Sequence, residues 1–406
     1  MSPTDSSGVG SSVAERDAVD ESRRGSFVQR VSSGQLGSLR VLIGLVVIWA
    51  IFQIANDRFL TSINLENLML QITAVATISI GVVMVLLLGE IDLSVGAVSG
   101  LAAGVMAVLN VKHGVSPELA ILAGLGVGAA IGLFNGIMVT KFNVPSFVVT
   151  LAGLLGWQGV LLYVLGDTGT INLPASTITE LTSTFFSNEI GWILGLVTVG
   201  AFVLAAILKR RKRAKAGLDP GPILGVAIRL GLTAVAVLAA VWVMNDDRGV
   251  PLAVVIMLVL MAIFTFITER MRFGRHIFAV GGSVEASRRA GIRVDGVKIA
   301  VFTLASTLAA AGGILAASRL LAVNQSSGAG DLLLLAIAGP VIAGTSLFGG
   351  RGFIFSALLG ALVIGSISNG MDLLALESSV KYMITGAVLL AAVTLDSVTQ
   401  KRRTPT

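Results

Sequence analysis

Cysteine is absent from this chain of 406 residues, and histidine occurs twice, at His113 and His276. Without a thiol there can be no disulfide, thiolate metal site or cysteine nucleophile, and two imidazoles are too few for a histidine metal cluster. No metal ligand set is assigned. The dipeptide Gly-Lys never occurs, which excludes a Walker A phosphate loop. Any ATP that drives this protein is therefore hydrolysed on another chain. Charge is scarce as well: 13% of residues are charged and 54% hydrophobic, whereas soluble domains carry about 25% charged residues.

What fills the chain instead is a series of twelve apolar stretches. They run over Val41–Ala55, Leu68–Gly89, Leu93–Val111, Leu119–Thr140, Phe142–Gly166, Ile190–Leu208, Ile223–Met244, Val250–Thr268, Ile299–Ser318, Leu332–Gly350, Gly352–Met371 and Val380–Leu395. About 20 apolar residues in a helix cross the hydrocarbon core of a bilayer, so the expected fold is all-α, a polytopic membrane bundle of about twelve spans. The joins at Glu90–Asp92, Lys141 and Arg351 are so short that re-entrant or broken segments are an alternative to full crossings there. The polar, Ser- and Gly-rich residues 1–38 read as a disordered cytoplasmic tail. No basic start leads into a short apolar core with a cleavage site, so no secretory signal peptide is expected. Residues 39–397 form the membrane domain, with a cytoplasmic loop at 269–298, and 398–406 form a basic cytoplasmic tail.

Alternating the loops sorts the cations. One side collects 23 of the 29 Lys and Arg, the other holds Arg58, Lys112, Arg248, Arg319 and Lys381, and Arg229 falls inside a span. Cytoplasmic loops are the positive ones, which puts both termini inside and favours an even number of spans. The run Lys209–Lys215 (KRRKRAK) reads as a stop-transfer and headgroup anchor rather than a nucleic-acid site.

Gly124, Gly128, Gly132 and Gly136 repeat every four residues and share one helix face, where small residues let two backbones approach closely. The Gly-Leu-Gly-Val-Gly within it follows no strand and is not a nucleotide loop. Pro145, Pro251 and Pro340 sit in or at the start of apolar segments and invite a break or kink, Pro340 above all. Glu90 and Asp92 interrupt an apolar run, where a charge requires a partner, a polar cavity or a helix end. Asp92 is placed to cap a helix starting at Leu93, and a gating, substrate-facing or proton-coupling role is the alternative. The loop Glu269–Lys298 contains apolar Ile277, Phe278 and Val280, a Gly281-Gly282 turn, and a short amphipathic helix from Val284 to Ala290. Ser283 stands at its N-cap and Gly291 where it should stop. Such a helix serves either to dock a partner or to lie on lipid.

Five motifs in order resemble the permease subunit of xylose/ribose-type monosaccharide ABC importers, most closely the xylose-type branch. They are Gly89-Glu-Ile-Asp-Leu-Ser-Val-Gly96, Val144-Pro-Ser-Phe-Val-Val-Thr-Leu-Ala-Gly153, Ala279-Val-Gly-Gly-Ser-Val-Glu-Ala-Ser-Arg-Arg-Ala-Gly-Ile292, Ile342-Ala-Gly-Thr-Ser-Leu-Phe-Gly-Gly-Arg-Gly352 and Gly365-Ser-Ile-Ser-Asn-Gly-Met-Asp-Leu-Leu374. The resemblance extends from about Asn64 to Leu395 and implies ten common spans plus two inserted between Ile190 and Asn245. It implies that Glu285-Ala-Ser-x-x-x-Gly291 is the segment seated in the ATPase subunit, so Gly282, Ser283, Glu285, Ala286, Ser287, Arg288 and Gly291 are the ATPase-coupling candidates. Glu90, Asp92 and Pro145 are candidates for a pathway or gate, together with Asn135, Ser146, Thr345 and Ser346. Two departures stand out: Leu335 replaces an Asp or Asn usual before Ala-Ile-Ala, and Gly339-Pro340 replace commoner small or aliphatic residues.

The resemblance implies no cofactor on this chain, since ATP and Mg belong to the ATPase subunit. It implies an extracytoplasmic sugar-binding protein and a second permease copy as further partners, in the bacterial plasma (inner) membrane, with lipid around the bundle and no nucleic acid. The competing reading is an ion-coupled secondary transporter, which would need coupling groups at mid-membrane beyond Glu90, Asp92 and Arg229. A membrane enzyme has even less to stand on, with no clustered acids and no thiol.

Overall fold

A computed structural model describes residues 37–219 and 222–401. The expected tail at 1–38 thus lies outside the described residues except for its last two positions, as do residues 402–406 of the basic tail. The long helices are α1 (Gly37–Ala55), α2 (Ser62–Leu87), α3 (Val95–Val111), α4 (Pro117–Lys141) and α5 (Ser146–Leu165). After strand β1 (Thr170–Asn172), a short α6 (Thr177–Ser183) and β2 (Phe185–Phe186) come α7 (Asn188–Lys215) and α8 (Ile223–Asp246). Then follow β3 (Val250–Pro251), α9 (Leu252–Arg270), α10 (Arg272–Gly282), α11 (Val284–Arg289), α12 (Val294–Leu320), β4 (Ala322–Asn324), α13 (Leu332–Ile342), α14 (Ser356–Leu373) and α15 (Ser378–Lys401). Eight of these helices are long and apolar enough to cross a membrane, while Val41–Ala55, α3 and α13 are shorter apolar helices.

Apolar residues all round a helix call for burial on every side, and α2 has it: 89% of its most apolar window is inside the protein. It packs against α12, α14, α13 and α9. The α7–α8 hairpin is the opposite case, with 11% and 0% of the corresponding windows buried. Its exposed leucines, valines and isoleucines suit lipid, which solvates them as well as protein does.

The glycine face of α4 lies along α12. A methyl group on Gly128 would come within 2.6 Å of the Ser306 carbonyl, on Gly132 within 2.4 Å of the Phe302 carbonyl, and on Gly136 within 2.7 Å of the Ile299 Cα. Gly124 meets the Ala102 carbonyl of α3 at 2.9 Å in the same way. Backbone rests on backbone here, and dispersion contacts at that range hold helices together where no hydrophobic drive exists.

The connections sort to two ends. At one end β1 pairs antiparallel with β4, Thr170 opposite Asn324, and β2 pairs with β3. Lys112 donates to the Leu165 carbonyl at 2.8 Å, and the Thr177 hydroxyl donates to Glu118 at 2.7 Å. Arg248 is ion-paired to buried Glu66 and lies over the Phe185 ring at 4.4 Å. Asp372 binds Lys381. At the other end Lys141 and Arg288 share Asp295, each at 3.7 Å. Cations that the charge count assigns to opposite sides of the membrane thus occur in separate connections.

The crossing expected at Leu332–Gly350 is not a continuous helix. Helix α13 stops at Ile342, the chain runs irregularly from Ala343 to Phe355, and α14 starts at Ser356 rather than Gly352. Eleven residues rise only about 16 Å at 1.5 Å each, about half the hydrocarbon thickness. Before α13, from Gln325 to Asp331, the chain is a series of turns rather than helix. Pro340 does not break the helix at its own position; α13 continues to Ile342. Its missing N–H leaves the Ala336 carbonyl without the usual donor, and the Ser79 hydroxyl of α2 donates to that carbonyl at 3.0 Å.

Candidate coupling face and membrane pathway

Leu87 ends α2, and its carbonyl is a meeting point. The Gly350 N–H donates to it at 3.0 Å, and a methyl group on Gly281 would lie 1.8 Å from it and 2.8 Å from the Gly350 nitrogen. Only a residue without a side chain lets α10 sit this close to the end of α2. Ile277 and Val280, both buried, fix the inner face of α10 in the same core.

The Gly281-Gly282 pair therefore closes a helix and is not the turn expected there; the whole of 272–282 is helical because its apolar residues recur at helical spacing against α2 and α12. A single residue, Ser283, separates it from α11. The Ser283 hydroxyl accepts from the Ala286 N–H at 3.2 Å, capping α11, and Gly291 follows with φ +80°. Ser287 is buried beneath the helix while Glu285, Ala286, Arg288 and Arg289 are exposed. Glu285 and Arg289 pair at 3.1 Å across one turn of the exposed face. From below, Lys298 at the start of α12 is ion-paired to Glu90, both largely buried. Helix α10, which leads into the projecting helix, thus rests on the α2 terminus by direct backbone contact, and α12, which follows it, is tied to the α2–α3 connection by a charge pair.

Asp92 lies in that connection, outside both helices, and is buried. Helix α3 begins at Val95 with Ser94 at its N-cap, so Asp92 does not cap in the expected way. Its Oδ1 accepts from the Ser94 N–H at 2.8 Å and from the Ser94 hydroxyl at 2.6 Å. Burial raises its carboxyl above the ordinary value, against those two hydrogen bonds, which lower it. Asn135 donates to the Ser94 oxygen at 3.1 Å, and Asp92 Oδ2 and Asn135 Oδ1 have no hydrogen-bond partner among the described residues. On the other flank the Thr150 hydroxyl donates to the Ser146 carbonyl at 2.9 Å and reaches toward the Ile91 carbonyl at 3.4 Å. Ser146 is buried and Pro145 exposed as the N-cap residue of α5. Thr345 shares a hydrogen bond with Ser356 at 2.7 Å, and Ser346 holds the irregular loop, its N–H donating to the Arg351 carbonyl at 2.9 Å.

Asp92 and Asn135 are therefore joined through Ser94, Ser146 flanks them through Thr150, and Glu90 belongs to the coupling side. Thr345 and Ser346 approach through Gly350 and Leu87 and do not touch the Asp92 group. Four of the five sequence motifs meet at this one end. The fifth lies at the opposite end, where Asn64 and Asn369 exchange amide hydrogen bonds at 2.9 and 3.0 Å and Trp49 donates to Ser366 at 2.9 Å.

Residues 64–393 match the family described as branched-chain amino acid transport system / permease component. The chain belongs to this ABC-importer permease family. The permease is 36% identical over 363 residues to the xylose transport system permease protein of Haemophilus influenzae, covering 89% of this chain and 96% of that protein. It is also 36% identical over 364 residues to the xylose transport system permease protein of Escherichia coli K12, covering 89% and 92%. Identity to the ribose import permease protein of Bacillus subtilis is 30% over 363 residues, covering 89% and 94%. Comparison with solved structures found no match. The permease is not itself an enzyme.

Two parts of the arrangement escape sequence reasoning: the Glu90–Lys298 pair, whose members are 208 positions apart, and the segment Asn324-Gln-Ser-Ser-Gly-Ala-Gly-Asp331. The second did carry a signal, a polar glycine-rich stretch between two apolar runs.

Proposed function

We propose that this chain is the membrane pathway of an ATP-driven importer for a monosaccharide, a xylose-like pentose or a related sugar. It lies in the bacterial plasma membrane with both termini cytoplasmic and acts as one of two permease copies. A sugar-binding protein delivers solute at the end that carries the strand pairs, and an ATP-hydrolysing subunit engages Gly282–Gly291 at the other. The observation that carries this reading is the construction of the α10–α11 projection. Its outer face is charged and exposed, while Gly281 sets α10 against the end of α2, and Lys298 at the start of the following α12 pairs with Glu90 in the α2–α3 connection. A movement imposed on α11 by nucleotide binding in the partner then shifts the terminus of α2, the central helix, and with it the Asp92–Ser94–Asn135 group. Likeness to xylose and ribose permeases supports the choice of solute.

The test is uptake of radiolabelled pentose by the reconstituted importer. Glu285→Lys, or deletion of 283–291, should abolish uptake while the protein remains inserted and folded. Uptake that survives the deletion but collapses with a protonophore would support an ion-coupled transporter instead.

A further inference from the structure

The turn-rich segment Gln325–Asp331 that leads into the short α13 packs along α5 and α3 with much of its polar surface uncovered. Its course is marked by contacts on one turn and two helices. At the top, the Gln325 N–H donates to the Gly169 carbonyl at 3.1 Å. Next, Gln158, the thirteenth of twenty residues of α5, donates to the Gln325 carbonyl at 2.6 Å. Lower still, Ser327 and Gly328 rest on the first two turns of α3, where methyl groups on Gly100 and Gly96 would fall 2.0 Å from the Ser327 carbonyl and 2.6 Å from the Gly328 carbonyl. From Asp331 the chain enters α13.

Gln325, Ser326, Ala329, Gly330 and Asp331 are nevertheless exposed. Irregular backbone at membrane depth occurs where it is buried in protein or lines water, not where it faces lipid, and a carboxylate there follows the same rule. A dry contact with another copy would need an apolar centre, and this strip offers no large apolar side chain. Asp331 also borders a shallow recess with Leu335, Ile367, Ser368 and Thr385. We propose that Gln325–Asp331 is a wall of the solute pathway that hydrogen-bonds a neutral polyhydroxylated solute. The Asp331 carboxylate accepts from hydroxyls, and the Gln325 amide and Ser326 hydroxyl both donate and accept. A neutral polyol is favoured over an ion because such a mixed set matches hydroxyl groups, each of which donates and accepts. This deepens the sugar-importer reading and rests on it for the identity of the solute.

The chain has no native cysteine, so Ser326→Cys and Ala329→Cys report alone. Each is placed in the assembled importer in nanodiscs and treated with a small charged methanethiosulfonate, with Val197→Cys on the exposed apolar face of α7 as a lipid-facing control. Both should react at least about tenfold faster than the control, as water-lined positions do. D-xylose should slow the reaction, and modification should stop uptake in proteoliposomes. Labelling as slow as the control, in an importer that transports, overturns the pathway assignment. Fast labelling that no transported sugar slows overturns the solute contact. If the wild-type importer moves no monosaccharide, the sugar reading fails, while the labelling rates still decide whether the strip lines water. Asp331→Asn, which keeps the hydrogen-bonding shape, should retain more uptake than Asp331→Leu at equal insertion; equal loss in both would remove Asp331 from the solute contact.

Discussion

The Ser79 hydroxyl of α2 donates to the Ala336 carbonyl of α13 at 3.0 Å, the acceptor that Pro340 leaves without its usual partner. Both groups are fully buried. Ser79→Ala should therefore lower thermal stability in detergent, since an unsatisfied buried carbonyl costs about 1–3 kcal/mol. Pro340→Ala restores an N–H at the right place, so the same Ser79→Ala change should cost less in that background. Equal costs in both backgrounds would mean the hydroxyl is not standing in for the missing donor. The double-mutant cycle isolates that coupling.

Gly128 and Gly132 face the α12 backbone, whereas Gly126, on the same helix, has open space at its Cβ position. Gly128→Leu and Gly132→Leu should each destabilise by about 1–3 kcal/mol or more through overpacking. Gly126→Leu should be neutral or slightly stabilising, because leucine is the better helix former and is at home in lipid. Melting curves of the three proteins check this, and a stable Gly132→Leu would contradict the close approach.

Glu90 and Lys298 are each 17% exposed and tie the α2–α3 connection to α12. Lys298→Met leaves a largely buried carboxylate without its cation and should cost about 1.5–3 kcal/mol, the range for hydrogen bonds to charged groups. If the pair also transmits movement from the ATPase, Lys298→Met should reduce uptake more than it reduces the amount of folded protein. ATP hydrolysis uncoupled from uptake is the expected signature. The reversed pair, Glu90→Lys with Lys298→Glu, should recover part of the stability.

Sidedness can be read with single cysteines. Thr179 is a natural choice in the long connection before Ile190, but it is buried in α6. Ala175, exposed in the same connection, replaces it, with Ala216 after the basic run as its counterpart. An impermeant thiol reagent should reach Ala175→Cys in intact cells and Ala216→Cys only after lysis. The reverse pattern would invert the orientation.

Hydropathy, charge placement and capping are properties of neighbouring residues, and they were legible in the sequence alone. The membrane class, the asymmetry of the loops, the glycine face, and a helix beginning at Val284 behind the Ser283 cap all follow from spacing within one segment. The family was legible too, through motifs that are each contiguous. What required the tertiary structure is how those motifs meet. Nothing local to Gly281 says that it must clear the Leu87 carbonyl, and nothing local to Glu90 names Lys298 as its partner. The end of α13 at Ile342 was hidden by an apolar run that continues past it, because hydropathy measures affinity for lipid and not helical conformation. The expected cap by Asp92 misplaced the start of α3, because one short polar segment offers several capping geometries of similar energy. Asp331 went unnoticed because a lone acid between apolar runs looks like a loop residue. Its place at the start of α13 depends on the turn segment packing on α3 and α5, a packing decision made by contacts far apart in the chain.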